Sequence, residues 1–295
     1  MSEAEKPSLA ITLRILSGIL MAGMFVSVKM VSDSVPLGEI VFFRSAFAII
    51  PLVIFLWLRR EFPNGLATKR PIDHLIRSSF GALALFGSFA AISMLNLAEA
   101  ILIAQLSPIL MAIAAVLVLG ERLTVWRIGG VALGFLGVIV LVWPELADQT
   151  NASNRLTGYA VGLAAALLSA FALIMVRSLN KTESPGAIAL YFVLTSMVGA
   201  LLTIPWGWLV PTPVALIWLI CAGLFGGLGH IAMTLAFRYA EASRLAAFEY
   251  IALLWPLLAD LVIFGFQITT PFLLSAPLIL AGAVFAVYEG KNKQV

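Results

Sequence analysis

Charge is what this sequence has least of. Only 11% of its residues are charged, against about 25% in a soluble domain. One cysteine, Cys221, excludes an intrachain disulfide, and its place in an apolar run fits a small packing residue. With two histidines, a metal site would have to rest mainly on carboxylates, so no metal or other cofactor is expected. No glycine-rich phosphate loop ending in Lys-Ser/Thr occurs, and no spacing pairs a nucleophile with a base, so an enzyme is not expected. The short alternating strands of an outer-membrane barrel, about 10 residues each, are missing too. The first apolar run, 10–31, lacks a small-residue cleavage pattern and is long enough to span a bilayer, so it reads as a helix, not a leader.

In place of these there are long apolar runs. The chain is 62% hydrophobic with a mean hydropathy of +1.06, which predicts an all-α membrane protein. Ten spans are expected, at 10–32, 38–58, 73–95, 99–119, 125–143, 157–177, 186–206, 213–237, 243–264 and 269–288, each close to the ~20 residues a bilayer core requires. The sequence pI of 9.2 does not point to nucleic acid, because the basic residues cluster between the runs. With the N-terminus inside, 15 of the 18 Lys and Arg fall on inner segments. Arg155 alone lies outside, while Lys29 and Arg44 lie within spans. This bias places both termini in the cytoplasm of a multi-pass, bacterial-type inner-membrane protein.

The stretch 81–100 repeats at 223–242 with a constant offset of 142: Gly81, Gly87, Ala90 and Ala98-Glu99-Ala100 fall on Gly223, Gly229, Ala232 and Ala240-Glu241-Ala242. Ten spans in two halves leave five per half. Five is odd, so the second half (148–295) crosses the membrane in the opposite sense to the first (1–147). Inverted repeats are an architecture of secondary transporters, with the substrate near the midplane.

Ionisable residues inside the apolar runs are the candidates for function, because each costs at least ~2.5 kcal/mol in hydrocarbon. Arg44 is expected either to anchor an anionic group or to tie two helices together. His230 and Glu249 flank the second Ala-Glu-Ala turn at comparable depth and could relay protons or bind an ammonium. The plainer alternatives are an interhelical hydrogen bond for His230 and a pair with Arg244 for Glu249. Lys29, Glu39 and Asp33 read as snorkelling or surface-paired residues, and Asp260 as interfacial. Pro108 in the fourth span and Pro256 in the ninth interrupt corresponding helices and are hinge candidates. Around them stand Gln105, Ser107, Tyr250 and Trp255; Ser88 and Phe89 on the third span add polar and aromatic groups suited to an amphipathic ligand.

Several of these residues carry a resemblance. Pro36 followed by Arg44, Ala98-Glu99-Ala100, Pro108, Gly120-Glu121-Arg122-Leu123-Thr124 and the glycines from Gly129 to Gly137 resemble the drug/metabolite transporter superfamily, in its ten-helix EamA-type branch. The second half departs from the pattern: Gly265-Phe266-Gln267-Ile268-Thr269 lacks the acid, and Pro256 is displaced relative to Pro108. The resemblance implies a basket-like bundle with a central cavity lined by helices 1, 3, 4, 6, 8 and 9. His230, Glu249, Tyr250, Gln105, Ser88 and Ser169 fall on those helices. Within the superfamily the sequence is similar to bacterial aromatic amino-acid exporters, which implies a small-molecule substrate moved by alternating access, with proton coupling as a hypothesis. Riboflavin, a nucleoside, S-adenosylmethionine or a cationic drug are the alternative cargoes, and monomer and homodimer are both open.

Overall fold

The computed structural model describes residues 7–63, 66–119, 125–147, 152–180, 182–239 and 253–287. Glu249 and Tyr250, with the whole turn carrying Glu241, lie outside them, as does the Gly120–Thr124 motif. Eleven α-helices and one 3-10 turn make up the regular structure of the described residues. They are α1 (Pro7–Val31), α2 (Leu37–Leu58), α3 (Pro71–Met94), α4 (Leu97–Ala104), α5 (Ser107–Leu119) and α6 (Val125–Ala147). After these come α7 (Ala152–Leu179), α8 (Pro185–Leu201), α9 (Pro213–Tyr239), α10 (Leu254–Ile263) and α11 (Thr270–Val287). Six are long and apolar enough to cross a membrane, and four shorter apolar segments, the α4–α5 pair among them, complete ten crossings.

The expected fourth span is two helices. Pro108 is the second residue of α5. Had one helix run through, its ring would clash with the carbonyl of Ala104, four residues back, and Ala104 is where α4 stops. Gln105 and Leu106 turn the chain, and Leu106 N–H still finds Ile103 O at 2.9 Å. Pro256 occupies a similar place, third in α10. Both prolines therefore begin helices, where a missing N–H costs nothing.

Small residues set how the helices pack. α1 lies along α9, where Ser17 Oγ donates to Gly229 O at 2.8 Å and a Cβ on Gly23 would touch Phe225 at 3.0 Å. α3 lies along α7, with Gly87 facing Ala165. α2 packs on α8 and α9, and α3 on α8. α6 and α11 pair more closely still: a Cβ on Gly282 would come within 2.7 Å of both Gly130 O and Gly134 N. Gly130, Gly134 and Gly282 thus join two helices of one chain.

Candidate functional site

Two arginines converge on one ring. Arg44 lies seven residues into α2, about 10 Å along the helix, and is 1% exposed. Its guanidinium carbon is 6.0 Å from the centre of the Phe192 ring on α8. Arg77, six residues into α3, places its own guanidinium carbon 4.7 Å from the same ring. Nε and Nη1 of both arginines are buried without a hydrogen-bond partner, as are the hydroxyls of the next residues, Ser45 and Ser78. No carboxylate acts on either guanidinium among the described residues. Two glycines admit these side chains: a Cβ on Gly226 of α9 would meet Arg44 Nε and Nη2 at 3.3 Å, and one on Gly81 would meet Phe192 at 3.0 Å.

His230 belongs to the same region. It is solvent-exposed, and the charges acting on it are those of Arg44 and Arg77. Thr234, one turn on, is exposed as well, and its hydroxyl turns back to His230 O at 2.9 Å.

The other sequence candidates are more scattered. Ser88, Gln105 and Ser169 are half-buried, and no hydrogen bond joins them to one another. Trp255 is half-buried, with its indole Nε1 buried and unpartnered. Phe89 is 1% exposed and sits in the main apolar core with Ile92 and Leu106, so it does not line an opening.

The groups read as interfacial, snorkelling or surface-paired are in fact ties between distant segments. Asp260 is 1% exposed, and its Oδ2 accepts the Ala98 N–H at 2.7 Å, in the first turn of α4. Glu39, also 1% exposed, accepts Leu209 N–H at 3.1 Å. Lys29 Nζ donates to Ile92 O at 2.7 Å and Leu95 O at 2.8 Å, closing the C-terminal end of α3. Asp260 and Lys29 satisfy backbone groups that a helix terminus leaves unpaired, and Glu39 satisfies one in the irregular segment between the 3-10 turn and α9. Arg155, the one exception to the inner bias, is neutralised: Nη2 reaches Glu99 Oε1 at 3.0 Å and Nε reaches Glu145 at 2.6 Å, while Tyr159 also donates to Glu99 at 3.1 Å.

A cluster at the end of the bundle where α3 and α8 begin was not foreseen. His74 Nε2 lies 3.3 Å from Glu183 Oε2, and its ring is 4.5 Å from that of Tyr191. Arg70 spans Asp73 at 2.7 Å and Ser178 O at 3.2 Å. Glu183 is covered by its immediate neighbours although it lies at the periphery. A hydrogen bond from Thr68, and after it one from His74, holds its carboxyl below the usual carboxylate range against some desolvation. His74 and Glu183 are 109 residues apart, and no local spacing announces them. At the other end, Pro36, Gly38, Phe86, Thr203, Trp206 and Trp208 line a pocket of about 270 Å³.

The EamA-like transporter family model matches residues 8–143. The pseudopaline exporter CntI of Pseudomonas aeruginosa is 31% identical over 255 residues, covering 83% of this chain and 84% of the exporter. A riboflavin transporter of Rhizobium johnstonii is 27% identical, with 88% and 83% covered. An S-adenosylmethionine uptake transporter of Rickettsia felis is 26% identical, with 86% and 84% covered. One crystal structure superposes with a TM-score of 0.67 at 21% identity, covering 96% of this chain and 98% of its own, and carries the same fold. Ten apolar crossings and relatives matched over most of their length lead to one conclusion: this chain belongs to the EamA-like transporter family, within the drug/metabolite transporter superfamily.

Proposed function

We propose that the protein is an inner-membrane secondary transporter that exports amino acids, aromatic or hydrophobic ones, by alternating access between two inverted five-helix halves, 1–147 and 148–295. The observation that carries this reading is the pattern of helix neighbours. Exchange each helix of one half for its counterpart in the other, and the α1–α9 pair becomes the α7–α3 pair; α2–α9 becomes α8–α3; α2–α8 and α6–α11 map onto themselves. The repeated glycines follow the same rule. Gly81 meets Phe192 of α8 and Gly223 meets Phe47 of α2, while Gly87 meets α7 and Gly229 meets α1. Two halves packed in this way can rock about the interior between them, which is the geometry alternating access requires.

The direction of transport and the cargo rest on the exporter among the relatives and on the resemblance to amino-acid exporters. The riboflavin and S-adenosylmethionine carriers support a second reading, another metabolite on the same scaffold. Proton coupling through Glu249 or His230 belongs to the first reading. Uptake of labelled amino acids into inside-out vesicles tests it, and the variant Glu249→Gln tests the coupling. A pH dependence unchanged in Glu249→Gln would remove that residue from the cycle.

A further inference from the structure

Uncompensated positive charge inside a membrane protein calls for a partner. Each buried guanidinium lacks a carboxylate and leaves two nitrogens without an acceptor among the described residues, and burial makes such vacancies costly. One ring holds the pair together: both guanidinium carbons lie within 6.0 Å of its centre, so they are no further apart than the sum of the two ring distances. Phe192 is thus an apolar ring shared by two forks of donors, with a cation–π contact to each. Guanidinium is the group best matched to carboxylate oxygens. The charges of both arginines also reach His230 of α9, which is solvent-exposed.

We infer that Arg44 and Arg77 together form a substrate subsite for an organic anion carrying two carboxylate groups, with Phe192 packed against the carbon chain that joins them. The inference rests on the reading that a small solute crosses through this interior, and it shifts the cargo from neutral amino acids toward acidic ones. Each arginine takes one carboxylate. A zwitterion offers one carboxylate and an ammonium, and the ammonium finds no acid beside these two cations among the described residues.

The test is binding to the purified full-length chain, read by calorimetry or by thermal shift. Glutarate, its dimethyl ester, L-glutamate, L-phenylalanine and inorganic phosphate are the probes. Glutarate should bind at least about tenfold more tightly than the ester, with glutamate between glutarate and phenylalanine. Arg44→Gln and Arg77→Gln should each weaken glutarate about tenfold or more, whereas the Lys variants, which keep the charge, should retain much of the affinity. Phosphate should compete weakly with glutarate. The comparison of acid with ester uses the wild-type chain and needs no variant to fold. Equal binding of acid and ester would overturn the inference, and so would Gln variants with glutarate affinity within twofold of wild type. Phosphate binding that glutarate does not displace would also overturn it, marking a site for a free ion. Flux separates this inference from the export reading. Phenylalanine export unaffected by Arg44→Gln and Arg77→Gln would sink the subsite and leave export standing. Charge-dependent glutarate binding without any amino-acid flux would do the reverse.

Discussion

Replacing Asp260 by Ala removes a carboxylate that reaches from α10 to the first turn of α4. The carboxylate is 1% exposed and accepts the Ala98 N–H at 2.7 Å. Loss of a side-chain cap costs about 1 kcal/mol, and a negative charge at a partly buried helix N-terminus contributes up to ~2 kcal/mol more. Relief of the desolvated carboxylate, whose Oδ1 has no partner, offsets part of that. The net expectation for Asp260→Ala is about 2 kcal/mol of lost stability. Asp260→Asn keeps an acceptor in place and loses only the charge, so it should cost about half as much. Thermal unfolding of the purified chain in detergent, read as aggregation-free fluorescence, measures both. If Asp260→Ala matched the wild type, or Asp260→Asn cost as much as Asp260→Ala, the tie would not be the cap described.

Three further perturbations follow from the same structure. Gly282→Leu should destabilise the α6–α11 pair by about 1–3 kcal/mol, because its Cβ would meet backbone atoms that cannot swing aside; thermal unfolding with a Ser275→Ala control checks it. Arg155→Gln should cost about 1–3 kcal/mol by stripping buried Glu99 of its cation, and adding Glu99→Gln should restore part of the loss, as a double-mutant cycle would show. Glu183 is held below its ordinary pKa when folded, so its contribution is complete above about pH 4.3 and is lost as pH falls through the lower folded value. The wild-type chain should therefore lose stability as pH falls from about 4.3 toward the lower folded value, and Glu183→Gln should show a flatter acid limb there.

The ten crossings were legible because apolar length and the bias of Lys and Arg are local or summed signals. The break before Pro108 was legible in the same way, since a proline acts on the carbonyl four residues back. The partners of Asp260, read as interfacial, and of Glu39 and Lys29, read as snorkelling or surface-paired, were not legible because each binds backbone groups far away in sequence: Ala98 lies 162 residues from Asp260 and Leu209 lies 170 from Glu39. Nothing near an acidic residue reveals which distant helix end it caps. Arg77 was counted among the inner-boundary charges, which its distance from Pro71 allows, but its partner ring sits on α8. Phe89 was a plausible ligand contact by type alone, and the rotation of α3 decided against it. The offset of 142 proved more informative than its six identities, because Gly81 and Gly223 make matching contacts with matching helices.

The central claim is that this bundle moves a small acid-bearing metabolite across the membrane without a bound energy source. Counterflow in proteoliposomes tests it most directly: the purified chain is reconstituted, unlabelled amino acid is loaded inside, and a trace of labelled amino acid is offered outside. Transient accumulation of label above equilibrium, abolished by omitting the internal substrate, is the predicted result. Label that never exceeds its passive level with any of the aromatic, hydrophobic or acidic amino acids would contradict the account.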